Sequence, residues 1–553
     1  MASAPDGTAT LYGKLEDRYL ARDQRGATQV FHELIRAGRP RAEIARETVR
    51  IHAPYTHVPY HQRIDRGFVR FVNNDHCLSI VRAGLRLPEY IGPELGYLPL
   101  AQAVWYVPTA LDPWNQLLGN APGHYGRRAW KGGSTPPFPM PTAHWPDQEP
   151  LHLDMPYDEA LEHWLTLVQQ GRVIEAYRVF RGLFEESADH RDGRSVLGGA
   201  RRREEKERRR DLLAQLAFAG LIDVQDRMLY NRSYTTGHKS YRARATIELG
   251  EAIGWDDAHD VIYAGVLDMA VGPRWHANYE MACQVSWVHL ADDQHKNQSS
   301  LDLSPSEVCE ARLLANREPL TPNEARELIT ALTQALEPGY IDAITALLLA
   351  GKDPLAILDT MQIASADLLL ETADGRNFSM TQHCYQYLNT LRWFFTAFDH
   401  PHRLKLLYVG GSFVNQAAHW LRATPGNGKA DTRPPRGADQ MSADEILRHL
   451  DEAQVAMKPI ESVAWTRAYL AGGHDRERLV ATLALDALKH GNDTHNQEIA
   501  LCLLEDYRRN PSGDRELLAL ACAQHTAGHQ KYGDTLEPYR RYLEAVGLTD
   551  RYC

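Results

Sequence analysis

Long apolar runs are missing from this chain. No stretch approaches the roughly 20 consecutive apolar residues that a bilayer-crossing helix needs. The opening segment MASAPDGTATLYGK also lacks a basic stretch followed by an apolar one. A soluble, cytoplasmic protein without a membrane partner is therefore expected. Cysteine is sparse as well. The seven cysteines are odd in number, scattered and free of any CxxC, which argues against a disulfide framework or a zinc ribbon. They read as small buried side chains plus a tail thiol at Cys553. Nor is there a surplus of positive charge: 61 Lys and Arg stand against 72 Asp and Glu, a net charge of -11. That balance disfavours a whole-protein grip on nucleic acid or an anionic surface.

What is present suits a folded globular chain. The 553 residues are 43% hydrophobic and 24% charged, within the ordinary range for packed domains. Helical periodicity dominates and alternating strand patterns are few. Residues 325–370 read as successive helices broken at Glu337-Pro338-Gly339 and at Gly351-Lys352-Asp353-Pro354. The expected fold is all-α: a large multi-helix domain of packed helical pairs with long irregular loops. Residues 1–422 form the helical domain, with a Gly/Pro-rich excursion at 119–150. Residues 423–440 form a linker or loop, and residues 441–553 are C-terminal helices packing on the same core. The run RRREEKERRR at 201–210 pairs opposite charges at i,i+4 and reads as a solvated helix face.

Histidine is abundant, 25 in all, and several lie in apolar segments where an imidazole must find a partner. His259 falls on a stripe with Trp255, Ile262, Val266 and Met269. His383 shares a face with Met380, Tyr387, Leu391, Phe394 and Phe398. His76 lines up with Ile80, Ala83 and Leu87, and Asn74-Asp75 can cap that helix. His495 stands in a first turn with Glu498 one turn on, a spacing at which imidazole and carboxylate can reach one metal ion. One inward histidine is usually a hydrogen-bonded core residue. Four in four separate helices, one beside a carboxylate, point to convergence on something. His57 and His61, four apart in HAPYTHVPYH, are alternative ligands or pocket-lining residues, although Pro54 and Pro59 oppose a regular helix there. His276 and His289 flank an amphipathic stretch as outer partners, His400 and His402 read as surface turn residues, and Tyr263, Tyr387 and Trp275 as core aromatics.

At these same residues the chain resembles the questin oxidase-like family of helical oxygenases. NNDHCLSIVRAGL resembles an Asn-His motif leading into an Ala-Leu-x-x-Leu-Gly helix, with Asp75 intervening between Asn74 and His76. AHDVIYAGVLDMA is similar to a His-Pro-x-Ile helix, with Asp260 where proline is usual. HCYQYLNTLRWFF resembles a His-x-Val-Thr helix continuing to Ala-Leu-Arg, and DTHNQEIALCLLEDY an Asp-x-His-x-Ile-Lys helix. The resemblance implies a non-haem iron held by His76, His259, His383 and His495. The family's lysine, a carbamylated ligand, corresponds to Glu498. Glutamate keeps the anionic oxygen on a shorter arm.

Imidazole with carboxylate suits Fe(II), Mn(II) or Zn(II), and four histidines plus one carboxylate lean toward iron because zinc usually takes four ligands. The expected function is a metal-dependent oxygenase using dioxygen on an aromatic or polyketide-like quinone. Tyr263, His276 and Arg392 are candidates for positioning a substrate carbonyl or phenolate. No GxGxxG or GxxxxGK[ST] stands in a strand-turn-helix setting, so NADPH as electron donor would bind without a recognisable Rossmann unit. A metal-dependent hydrolase using the same ligands and a non-catalytic helical-repeat scaffold are the alternatives.

Overall fold

The computed structural model describes residues 7–56, 63–65, 68–70, 76–110, 149–187, 198–224, 237–270, 276–290, 305–372, 379–423, 426, 428, 430–491, 494–528 and 535–552. The architecture is all-α. A short antiparallel ribbon, Arg63–Asp65 with Phe68–Arg70, is the one sheet among the described residues. No described helix is long and apolar enough to cross a membrane.

Local chemistry sets the helix ends. Pro322–Gln334, Gly339–Leu349 and Pro354–Leu370 are three helices, broken where the Pro/Gly signals stand. The first begins in a capping box in which Thr321 and Glu324 satisfy each other's backbone N–H groups. The second ends before Gly351, whose φ of +88° is one a side chain rarely adopts. One contiguous apolar core runs from Tyr12 to Leu543 and takes in residues from both sides of 423–440. The Gly/Pro-rich excursion, apart from residues 149–150, lies outside the described residues, as do His57, His61 and Trp275.

Four helices form a closed ring: Cys77–Arg86, His238–Ile253, Ser379–Ala397 and Thr494–Arg509. Their directions follow from two layers of cross-contacts. In the upper layer His76 meets Glu498, and His383 meets both His238 and His495. In the lower layer Arg82 meets Glu248 and Glu505, and Arg244 meets Asn389 and Glu505. Arg82, Arg244 and Asn389 follow His76, His238 and His383 by six positions and Glu505 follows Glu498 by seven, about 9–10 Å of rise. All four helices therefore run parallel, with their N-terminal ends within about one turn of the same level.

Two surface assignments change. Arg209, at the end of the charged run, lays its guanidinium 3.6 Å from the Phe184 ring centroid and donates to Ser187 Oγ and to the Phe184 carbonyl. His400 sits in a turn but is buried, stacked 4.1 Å from the Phe218 ring. Its Nε2 donates to Gln215 Oε1 at 2.9 Å while Nδ1 accepts from the His402 backbone N–H. Both bonds belong to the neutral imidazole. Burial, with the nearby His402 and Lys405, holds its pKa down at about 3, against about 6.5 in the unfolded chain. Below pH 6.5 the unfolded chain takes up a proton that the folded chain refuses. The stabilisation is therefore complete above about 6.5 and is lost toward pH 3, by up to about 1.4 kcal/mol per pH unit. His400→Gln is expected to flatten the fall in urea midpoint between pH 6.5 and 4.5, and an unchanged slope would refute this.

Candidate metal centre

The upper layer of the ring gathers imidazoles from all four helices. His76 is the N-cap residue of its helix, a position it takes in place of the expected Asn74-Asp75, and its ring points inward at 4% exposure. His238 opens the second helix directly after Gly237, whose φ is +74°. His383 lies one turn into the third helix and His495 in the first turn of the fourth. All four are buried. His238 Nε2 lies 3.1 Å from His383 Nε2, which lies 3.4 Å from His495 Nε2. His76, His238 and His495 each offer a ring nitrogen within 4.8 Å of the others.

Glu498 completes the set from one turn below His495. Its two oxygens lie 3.2 and 3.1 Å from His76 Nδ1, and Gln386 Nε2 donates to Oε2 at 3.4 Å. A carboxylate only accepts, so His76 Nδ1 is the donor and a neutral His76 keeps its lone pair on Nε2. This is the carboxylate–histidine arrangement that orients metal-ligating imidazoles. The outer supports are equally specific. Lys239 ties the start of the His238 helix to Asp223 (2.7 Å) and to the Met269 carbonyl (3.0 Å). His525 Nε2 donates to the His495 carbonyl at 2.9 Å.

The residues present fit a divalent transition ion. With metal–nitrogen bonds of about 2.1 Å, donors at right or tetrahedral angles lie about 3.0–3.4 Å apart, the spacing of His383 Nε2 from the Nε2 atoms of His238 and His495. Two imidazole nitrogens in contact need a proton or a cation between them. Burial, and next the neighbouring imidazoles of His383 and His76, hold the His238 pKa well below its usual value. That favours the neutral form a metal requires.

His259 does not join the cluster. The stripe with Trp255 assumed one continuous helix, whereas Trp255 belongs to a separate 3-10 turn, Trp255–Asp257, and the helix begins only at His259. Ile262, Val266 and Met269 are buried as expected, but His259 is exposed. Its helix also runs antiparallel to the His238 helix: Lys239 reaches Met269, Arg242 pairs with Asp268, and Thr246 lies against Gly265. His259 is thus about 15 Å of helix rise away from Met269, the residue nearest the imidazole level.

The expected substrate-positioning residues are elsewhere too. Tyr263 is a core aromatic whose ring packs edge-on against Tyr177 at 5.9 Å. Arg392 lies nine residues, about 14 Å of rise, beyond His383 and pairs with Asp359 at 2.6 Å. His276 is the half-buried N-cap residue of Ala277–Val285. Among the outer histidines, His289 is exposed.

Two residues escaped the sequence reading: His238 and Tyr241, one turn apart on one face. Their helix is buried along most of its length yet carries Lys239, Ser240, Arg242, Arg244 and Thr246 inside. No apolar stripe marks it, so periodicity gave no signal. The Tyr241 ring lies 5.3 Å from His238 and nearly parallel to His76 at 6.1 Å. Burial, then the Glu498 carboxylate, holds its phenol pKa well above the usual value. Its buried hydroxyl has no hydrogen-bond partner among the described residues, an omission that typically costs about 1–3 kcal/mol.

No family model, curated protein or solved structure matches this chain.

Proposed function

We propose that this chain is a cytoplasmic, non-haem metal-dependent oxygenase acting with dioxygen on an aromatic or polyketide-like quinone. The observation that carries the reading is the meeting of His238, His383 and His495 at Nε2–Nε2 distances of 3.1 and 3.4 Å, with His76 and Glu498 beside them. Buried imidazoles so placed suit a shared cation. The ligand set becomes His76, His238, His383 and His495, with His238 in the place first given to His259. Glu498 supports it through His76 Nδ1. The similarity of the His76, His383 and His495 segments to the questin oxidase-like motifs favours iron and oxygen chemistry over the other uses of such a site.

A bound Fe(II) would supply the electron transfer to dioxygen that an organic side chain cannot. The protein's own contribution is positional. His76 is fixed by Glu498, the His238 helix by the Lys239–Asp223 pair, and the His495 backbone by His525, while burial limits water and favours the neutral form of His238.

The test is an anaerobic Fe(II) titration followed by oxygen-uptake measurement with a hydroxylated anthraquinone and NADPH as electron donor. Wild type is expected to bind one iron per chain and to consume oxygen. Glu498→Ala is expected to bind iron about 10- to 100-fold more weakly and to lose uptake in parallel. Stoichiometric metal with hydrolytic turnover and no oxygen uptake would replace the oxygenase by a metal hydrolase. Absence of stoichiometric metal would leave a helical scaffold.

A further inference from the structure

The electrostatics of this centre are one-sided. The first backbone N–H groups of a helix lack intrahelical partners, and each N-terminus carries roughly half a positive charge. Four parallel helices bring three such ends to the level of His76, His238 and His495, and the fourth, at Ser379, about one turn beyond His383. Opposite-running neighbours would cancel one another, but this ring has none among its four members. The imidazoles add no negative charge, and the Glu498 carboxylate is engaged by His76 Nδ1 and Gln386. A divalent ion on these ligands would leave the site markedly positive.

A second, independent feature lies at the same place. Tyr241 is 4% exposed, packs on the His76 and His238 rings, and holds a hydroxyl with no hydrogen-bond partner among the described residues. Arg242 donates to Asp268, Lys239 to Asp223 and Ser240 to the Gly237 carbonyl. A phenol kept in such a position suits a ligand that arrives with its own acceptor. A neutral oxygen acceptor would answer this donor but leave the positive end of the ring unmet.

We propose that the centre takes its ligand through an anionic oxygen, a phenolate or carboxylate, which accepts a hydrogen bond from the Tyr241 hydroxyl while the four helix N-termini stabilise its charge. The inference rests on the metal centre of the preceding section and adds the substrate class and a residue that touches the substrate. The phenol remains protonated and donates. The anion's charge is met by the helix ends and would be met by the metal.

The experiment uses the full chain loaded with Co(II), whose visible bands report its ligands. Wild type is titrated with 4-nitrophenolate, benzoate and, as a neutral control of similar size, benzyl alcohol. Saturable band shifts are expected with at least one anion, and at least tenfold weaker binding of the alcohol. A response to 4-nitrophenolate alone identifies a phenolate site, and a response to benzoate alone a carboxylate site. Tyr241→Phe is expected to keep one cobalt per chain and to bind the anion about tenfold more weakly. Equal binding of benzyl alcohol would overturn the inference, as would unchanged anion affinity in Tyr241→Phe. Loss of cobalt from that variant would also overturn it, because the hydroxyl would then serve the metal. The wild-type comparison of anion with alcohol decides the matter even if Tyr241→Phe does not fold. A wild type that binds no cobalt would remove the metal centre and this inference together, whereas cobalt binding without anion preference removes the inference alone.

Discussion

His238→Ala is expected to weaken binding of Co(II) or Fe(II) by about 100-fold or more, whereas His259→Ala leaves it within about twofold of wild type. Even outer-shell partners of metal ligands typically contribute 10- to 100-fold, and His238 is an inner member with its Nε2 3.1 Å from that of His383. His259 stands exposed at the start of an antiparallel helix and has no route to the cluster. Calorimetric titration of both variants, purified without a histidine tag, makes the comparison direct. Equal losses in the two would dissolve the assignment, and so would a His238→Ala protein that retains full affinity. The pair is informative because its members differ in position and not in chemistry.

Arg244→Met is expected to lower the unfolding free energy by roughly 3–5 kcal/mol, the usual result of removing one partner from a buried charge network. Arg244 is fully enclosed. It donates to Glu248 at 2.7 Å, to Asn389 Oδ1 at 2.7 Å and to Glu505 at 2.9 Å, joining three of the four ring helices. Burial pushes the Glu505 carboxyl up, but Arg244 and Arg82 more than offset it and hold the pKa below the usual carboxylate range. Without Arg244 two buried carboxylates share Arg82 alone. Arg244→Lys should rescue little, since an ammonium cannot reproduce the planar fork that bonds three side chains. The double variant Arg244→Met with Glu505→Leu should recover at least half of the loss, because it removes the orphaned charge along with its partner. Urea denaturation of the three variants checks this, and a single variant within about 1 kcal/mol of wild type would show that the network does not hold the ring.

Much of the framework was legible in the sequence because helices announce themselves by period and punctuation. Leu332, Ile344, Ile357 and Leu358 are buried where the pattern from 325 to 370 places them, and the breaks at Gly339 and Pro354 fall at helix starts. His383 was readable for the same reason, since Met380, Tyr387, Leu391 and Phe394 surround it with a clean apolar face. His495 with Glu498 was readable from spacing. His259 misled because i,i+4 counting is meaningful only inside one helix, and the 3-10 turn at Trp255 breaks the phase. His238 was hidden for the opposite reason. The helix it opens buries charged residues in ion pairs with Asp223, Asp268 and Glu505, and those partners come from elsewhere in the chain. A buried helix stabilised by tertiary ion pairs resembles a surface helix in one dimension. Which nitrogens meet is likewise a tertiary fact.

The parallel ring also governs when the centre can come into being. His76 and Glu498 are separated by 422 positions, His238 and His383 by 145, and His383 and His495 by 112. Chains rich in such distant contacts fold slowly, because loop closure must precede the contacts that reward it. On a ribosome the first three imidazoles would emerge long before the fourth. Metal loading, if the centre holds an ion, would therefore follow synthesis, when the last helix has docked, and a nascent or truncated chain ending before residue 495 would present loose histidines to every passing ion.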